Sequence, residues 1–159
     1  MSGYTRTSYR KLCHWVSMSD GRVPAHAVVG GIDSGSDIYI GRAEHDGDII
    51  PGKVVPSHNV CYVPHGGREH AKPSYQVLVA LDESHFGWER ESGGRLPPGA
   101  VQGGATADGE PLYIGRTYHD GTLTIGKIQC SHGSLYIPHG GDEHKYSDYQ
   151  VLVCRNVNF

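Results

Sequence analysis

The chain writes one unit twice, and this duplication constrains its fold more than any other feature. Ile38-Tyr39-Ile40-Gly41-Arg42 returns as Leu112-Tyr113-Ile114-Gly115-Arg116, His45-Asp46-Gly47 as His119-Asp120-Gly121, and Gly52-Lys53 as Gly126-Lys127. Upstream the copies stand 73 positions apart, pairing Trp15 with Trp88, Pro24 with Pro97 and Gly30-Gly31 with Gly103-Gly104. One residue is added near Asp108, and from there the offset is 74: Pro64-His65-Gly66-Gly67 matches Pro138-His139-Gly140-Gly141, and Tyr75-Gln76-Val77-Leu78-Val79 matches Tyr149-Gln150-Val151-Leu152-Val153. A unit of about 70 residues would be marginal alone, so the copies are expected to pack on each other. Two copies also exclude a propeller or a long solenoid.

The repeats span residues 15–80 and 88–154, with an N-terminal arm at 1–14 and a linker at 81–87. Within each copy no window of ten or more residues carries a helical apolar period. Instead, short runs such as Ile38-Tyr39-Ile40, Val60-Cys61-Tyr62-Val63 and Tyr75 to Ala80 are divided by Gly, Pro and Asp. Those signals predict an all-β fold of short antiparallel strands in two pseudo-symmetric units. The 23 glycines suit such a turn-rich protein. Asp46-Gly47 and Asp120-Gly121 have the chemistry of tight hairpin turns.

Composition also bounds function. A formal net charge of -3 supplies no basic field, so neither nucleic acid nor an anionic membrane is an expected partner. No run of 18 apolar residues exists, and Met1 to Cys13 lacks the apolar run of a secretory signal. A cytoplasmic protein, or one exported by an unconventional route, is the expectation. Of the four cysteines, Cys61 aligns with Leu135 and Cys130 with Pro56, so none is duplicated. A disulfide framework or zinc site built into the unit would recur in both copies, so Cys13, Cys61, Cys130 and Cys154 are read as mostly buried thiols.

Three chemical motifs are incomplete. Gly52-Lys53 and Gly126-Lys127 are followed by Val54 and Ile128 rather than Ser or Thr, which excludes a phosphate loop. His65-Gly66-Gly67-Arg68-Glu69-His70 and its echo hold two imidazoles and a carboxylate, but a glycine pair interrupts the helical spacing of His-Glu metal motifs. The stretch is read as a turn whose Glu pairs with backbone amides, with no metal and no cofactor. No Gly-x-Ser-x-Gly elbow occurs, and no Cys is duplicated beside a duplicated His, so an enzyme is not expected.

What remains is a carboxylate and an ammonium in the repeated unit. Asp33 follows a glycine pair read as letting backbone approach a ligand, and Lys53 follows a Pro-Gly turn. Side by side, one accepts and the other donates, a combination that grips vicinal hydroxyls without a metal.

Trp15, Pro24-x-x-Ala27-Val28-x-Gly30-Gly31, Tyr39-Ile40-Gly41-Arg42-Ala43, Gly52-Lys53-Val54, Gly66-Gly67-x-Glu69 and Tyr75-x-Val77-Leu78 together resemble the DM9 repeat, as does the second copy. The arrangement is similar to the tandem-DM9 lectins of bivalve molluscs. That resemblance implies a metal-independent lectin of mannose-type specificity, acting in innate immunity as a pattern-recognition protein for microbial glycans. It implies sugar contacts at Asp33 and Lys53. In the second copy Lys127 is kept, Thr106 aligns with Asp33, and Asp108 lies two residues further on. Each site is expected to be shallow, so binding strength would come from repeats and homodimers acting together. The competing expectation is an intracellular protein-interaction module built on the same repeats.

Overall fold

Alternating apolar residues and frequent turn signals produce fourteen strands and no α-helix among the described residues, in a computed structural model that describes residues 12–155. The first copy supplies β1 (His14–Ser19), β2 (Val29–Asp33), β3 (Ser36–His45), β4 (Asp48–Val55), β5 (Val60–His65), β6 (Arg68–Lys72) and β7 (Ser74–Val79). The second supplies β8 (Phe86–Ser92), β9 (Gln102–Ala105), β10 (Pro111–His119), β11 (Thr122–Gln129), β12 (Ser134–His139), β13 (Asp142–Tyr146) and β14 (Asp148–Cys154). The all-β expectation holds. Most of the expected N-terminal arm, residues 1–11, lies outside the described residues. Among the described residues no helix is long and apolar enough to cross a membrane.

The Asp-Gly turns behave as their dipeptide chemistry requires. Asp46 and Gly47 have φ of 50° and 86°, and Asp120 and Gly121 have 48° and 76°, the left-handed pair of a two-residue hairpin. These hairpins join β3 to β4 and β10 to β11.

The copies do not sit side by side as separate sheets. β2 lies between β3 of its own copy and β11 of the other, while β9 lies between β10 and β4. The pairings β3–β4–β9–β10–β11–β2 return to β3, a closed circuit drawn from both repeats. Its core is shared: Ile38, Ile40 and Leu78 of the first copy pack in one cluster with Ile114, Ile125 and Leu152 of the second. Leu112 of the second copy packs in a cluster whose other buried members, Ile50, Val54 and Val77 among them, belong to the first.

This exchange corrects the reading of the glycine pairs. A Cβ on Gly30 would lie 2.5 Å from Ile125 Cδ1, and one on Gly31 only 1.9 Å from the Leu123 carbonyl oxygen. In the second copy a Cβ on Gly103 would meet Pro51 Cγ at 2.7 Å, and one on Gly104 the Ile49 oxygen at 2.0 Å. The glycine pairs admit the other repeat's strand, not a ligand. Pro51-Gly52 is likewise no turn, because both residues lie inside β4. A Cβ on Gly52 would stand 2.0 Å from the Tyr62 carbonyl oxygen, so Gly52 lets β5 approach β4 closely.

Two arginines fasten the exchange. Arg42 stacks over Trp15 at 4.2 Å, donates to Gln76 Oε1 at 2.8 Å and reaches the Gly103 carbonyl at 3.3 Å. Arg116 repeats this with Trp88 at 3.9 Å, Gln150 Oε1 at 2.7 Å and the Gly30 carbonyl at 2.9 Å. The repeated Trp and Arg therefore clamp each copy to the other's glycine pair.

Candidate functional site

Lys53 sits on β4 opposite Tyr62 of β5, so its Nζ rests 5.8 Å from the Tyr62 ring centroid. The residue is only 2% exposed. Burial pushes its pKa down, while the carboxylates of Glu69 and then Asp33 draw it back up. Asp33 thus acts on Lys53 electrostatically, but among the described residues no ion pair joins the two. It ends β2 half-buried, accepts a hydrogen bond from Ser34 Oγ at 3.1 Å, and lines a groove with Ser36, Asp37, Tyr39, Pro56 and His58. His58 Nδ1, in that groove, is 2.8 Å from the hydroxyl of Tyr62, the residue on whose ring Lys53 rests.

The second copy is arranged differently. Lys127 on β11, 5% exposed, lies 3.5 Å from Glu143 Oε2 and 5.4 Å from the Tyr136 ring centroid. Thr106 turns its hydroxyl to the Glu110 amide at 3.0 Å, and its own N–H donates to the Glu110 carbonyl at 2.8 Å. Asp108 is exposed at the tip of that loop. Neither makes a hydrogen bond or ion pair with Lys127, so the rebuilt second site anticipated around Asp108 has no direct contact to support it.

The two glutamates are the partners that sequence reasoning did not assign to the lysines. The β5–β6 and β12–β13 hairpins meet, with Arg68 paired to Asp142, and Gly66-Gly67 and Gly140-Gly141 turn with φ from 62° to 91°. Glu69 N–H donates to Gly141 O and Glu143 N–H to Gly67 O, each at 3.0 Å. The side chains cross in return: Gly67 N–H donates to Glu143 Oε1 and Gly141 N–H to Glu69 Oε1, each at 3.0 Å. The predicted pairing of Glu with backbone amides is therefore present, but the amides belong to the other copy. Glu143 Oε2 has no hydrogen-bond partner, and its nearest charge is Lys127. Duplication of both the glutamates and the lysines at the same spacing was the available signal.

Histidines of the hairpins complete the surroundings. His45 of the β3 end groups with His65 and His70, and His119 of the β10 end groups with His139 and His144. Burial, first, and the Lys72 ammonium next hold His45 below the usual imidazole range. His119 is lowered by burial, then by His144, with Asp120 opposing and His139 and Lys53 adding to the depression. His119 thus feels Lys53 of the other repeat, and the Lys53 surroundings are built from both copies. Among the described residues all four cysteines are free thiols, with Cys61 fully buried and the other three half-buried.

A family model described as the DM9 repeat matches residues 33–146, which is most of the chain. The chain belongs to the DM9 repeat family. Among curated proteins, this DM9 chain is 31% identical over 146 residues to Natterin-4 of Thalassophryne nattereri, covering 91% of the chain but 34% of that protein. It is 30% identical over 97 residues to Natterin-3 of the same species, covering 60% of the chain and 24% of that protein. The chain thus spans about a third or less of these relatives. Among solved structures, the nematode sperm cell motility protein MFP2B has the same fold, with a TM-score of 0.66 at 16% identity over 96% of this chain and 51% of that one. At that identity the likeness concerns the fold alone.

Proposed function

We propose that this DM9 chain is a lectin of mannose-type specificity that holds sugar hydroxyls without a metal ion and performs no turnover, serving pattern recognition of microbial glycans. The observation that carries the reading is Lys53, an almost fully buried ammonium without an ion pair among the described residues, with Glu69 and Asp33 as the carboxylates acting on it. A desolvated ammonium gains by meeting hydroxyl oxygens, and a nearby carboxylate accepts hydrogen bonds from the hydroxyls. Vicinal hydroxyls satisfy both at once. Lys127 is already engaged by Glu143, and Asp33 has no acidic counterpart at Thr106, so the first-copy site is the stronger of the two. Single sites of this kind are weak, and strength on a polymeric glycan comes from multivalency between repeats and between chains.

Calorimetric titration of mannose, with a chelator present, into wild type, Lys53→Ala and Lys127→Ala tests the reading. Loss of a charge-assisted hydrogen bond predicts an affinity lower by about 10- to 100-fold in Lys53→Ala with the fold retained. Lys127→Ala changes the affinity far less. No heat from folded wild type across several sugars and a mannan overturns the proposal.

A further inference from the structure

The histidine hairpin of the first copy acquires in three dimensions what its sequence lacks. His65 and His70 flank the Gly66-Gly67 turn, and a third imidazole arrives from the neighbouring hairpin, where His45 ends β3. Ring centroids stand 4.8 Å apart for His45 and His65, 3.8 Å for His45 and His70, and 6.1 Å for His65 and His70. One potential ligand atom from each residue lies within 4.8 Å of the others. Imidazole nitrogens bound at about 2.0–2.1 Å in a tetrahedral site stand roughly 3.4 Å apart, so side-chain rotations closing the cluster by at most about 1.4 Å suffice.

The outer contacts are those of an oriented ligand set. His70 Nε2 hydrogen-bonds the His65 carbonyl oxygen at 2.9 Å, which fixes the proton on Nε2 and leaves Nδ1 with a bare lone pair. Asp48 Oδ2 stands 3.5 Å from His65 Nε2, and Asp46 Oδ2 stands 3.5 Å from His45 Nε2. Asp48 is itself held, accepting the Ala107 amide at 2.8 Å from the other repeat. All three imidazoles are half-buried, so the cluster is partly desolvated yet reachable from solvent. The Lys72 ammonium acts on His45, with the Asp46 carboxylate opposing it.

We propose that His45, His65 and His70 form a binding site for a borderline transition-metal dication of the zinc type, with a fourth position open to solvent. Three neutral imidazoles select zinc, nickel or copper over calcium and magnesium, which prefer oxygen ligands. The second copy is not equivalent. Tyr146 replaces Lys72 there, and its hydroxyl engages His119 Nδ1, leaving His119, Asp120 and His139 as the donor set. The first-copy triad is the tighter site. None of its three imidazoles is among the proposed sugar contacts, and neither reading depends on the other.

The test is titration of the chelator-stripped full chain with Co²⁺, followed by its visible absorption, and then displacement by Zn²⁺. Wild type takes up one tight equivalent with a tetrahedral spectrum, His45→Ala and His70→Ala lose it, and His139→Ala keeps it. Circular dichroism verifies the fold of each variant. Should the variants misfold, imidazole nitrogen shifts in the wild type on Zn²⁺ addition decide the matter. Changes at His45, His65 and His70 support the site. No uptake by wild type, uptake unchanged in both triad variants, or shifts confined to other histidines overturns it.

Discussion

Gly31→Ala isolates the contact on which the exchange of strands depends. Its backbone needs no left-handed φ, so the substitution strains no dihedral, and its effect on the folded state is steric. The new methyl group would sit 1.9 Å from the Leu123 carbonyl oxygen, short of ordinary contact at 3.4 Å by about 1.5 Å. The obstructing atom is backbone of β11, held by its ladder with β10, and cannot rotate away as a side chain would. Overpacking into a well-filled site costs about 1–3 kcal/mol and sometimes more, and here the rigid neighbour places the cost at about 3 kcal/mol. In a domain of this size each kcal/mol lowers Tm by about 2–4 °C, so the melting temperature should fall by about 6–12 °C. Gly104→Ala, which meets the Ile49 oxygen at 2.0 Å, should behave alike. Gly35→Ala is the control: φ is +78° but nothing lies within 4 Å, and the loss should be about 1 kcal/mol. Scanning calorimetry of the three variants measures this directly. If Gly31→Ala melts no lower than Gly35→Ala, the close approach of β2 and β11 is not what the glycine pair provides.

Thr124, at the position of Ile50 in the first copy, buries a hydroxyl with no partner. Thr124→Val should therefore raise stability by about 1 kcal/mol in denaturant melts, since an unsatisfied buried group costs about 1–3 kcal/mol. Arg116→Lys keeps the charge but loses the fork that joins Gln150 to the Gly30 carbonyl and the stack on Trp88, so equilibrium unfolding should register about 2 kcal/mol of destabilisation. Because His119 is held below the ordinary imidazole value, the unfolded chain binds its proton more readily than the folded one. That contribution is full above about pH 6.5 and is lost as pH falls from there to the folded-state value, so a Tm-against-pH profile should slope down through this window and flatten in His119→Gln.

The duplicated motifs, the Asp-Gly turns and the all-β class were legible because each rests on local chemistry. φ at Asp46, Gly47, Asp120 and Gly121 is what those dipeptides favour wherever they occur. β6 was not legible as a strand, because its ladder partners are β5 and, at one position, the other repeat's β13. The pairing of Lys127 with Glu143 was hidden for a related reason: the residues lie on hairpins that are neighbours only after folding. The third imidazole beside His65 and His70 was hidden in the same way.

The sequence by itself determined that there are two copies, that they are built of short strands, and which residues recur. It could not determine which copy each strand completes. That was decided by tertiary structure, because glycine pairs offer space without naming what fills it. Gly31 and Gly104 admit any close backbone, and only the shared core of Ile40, Ile114 and Ile125 makes that backbone the other repeat's. The surroundings of Lys53 follow from the same exchange, since Glu69 is oriented by an amide of the other copy and His119 belongs to it.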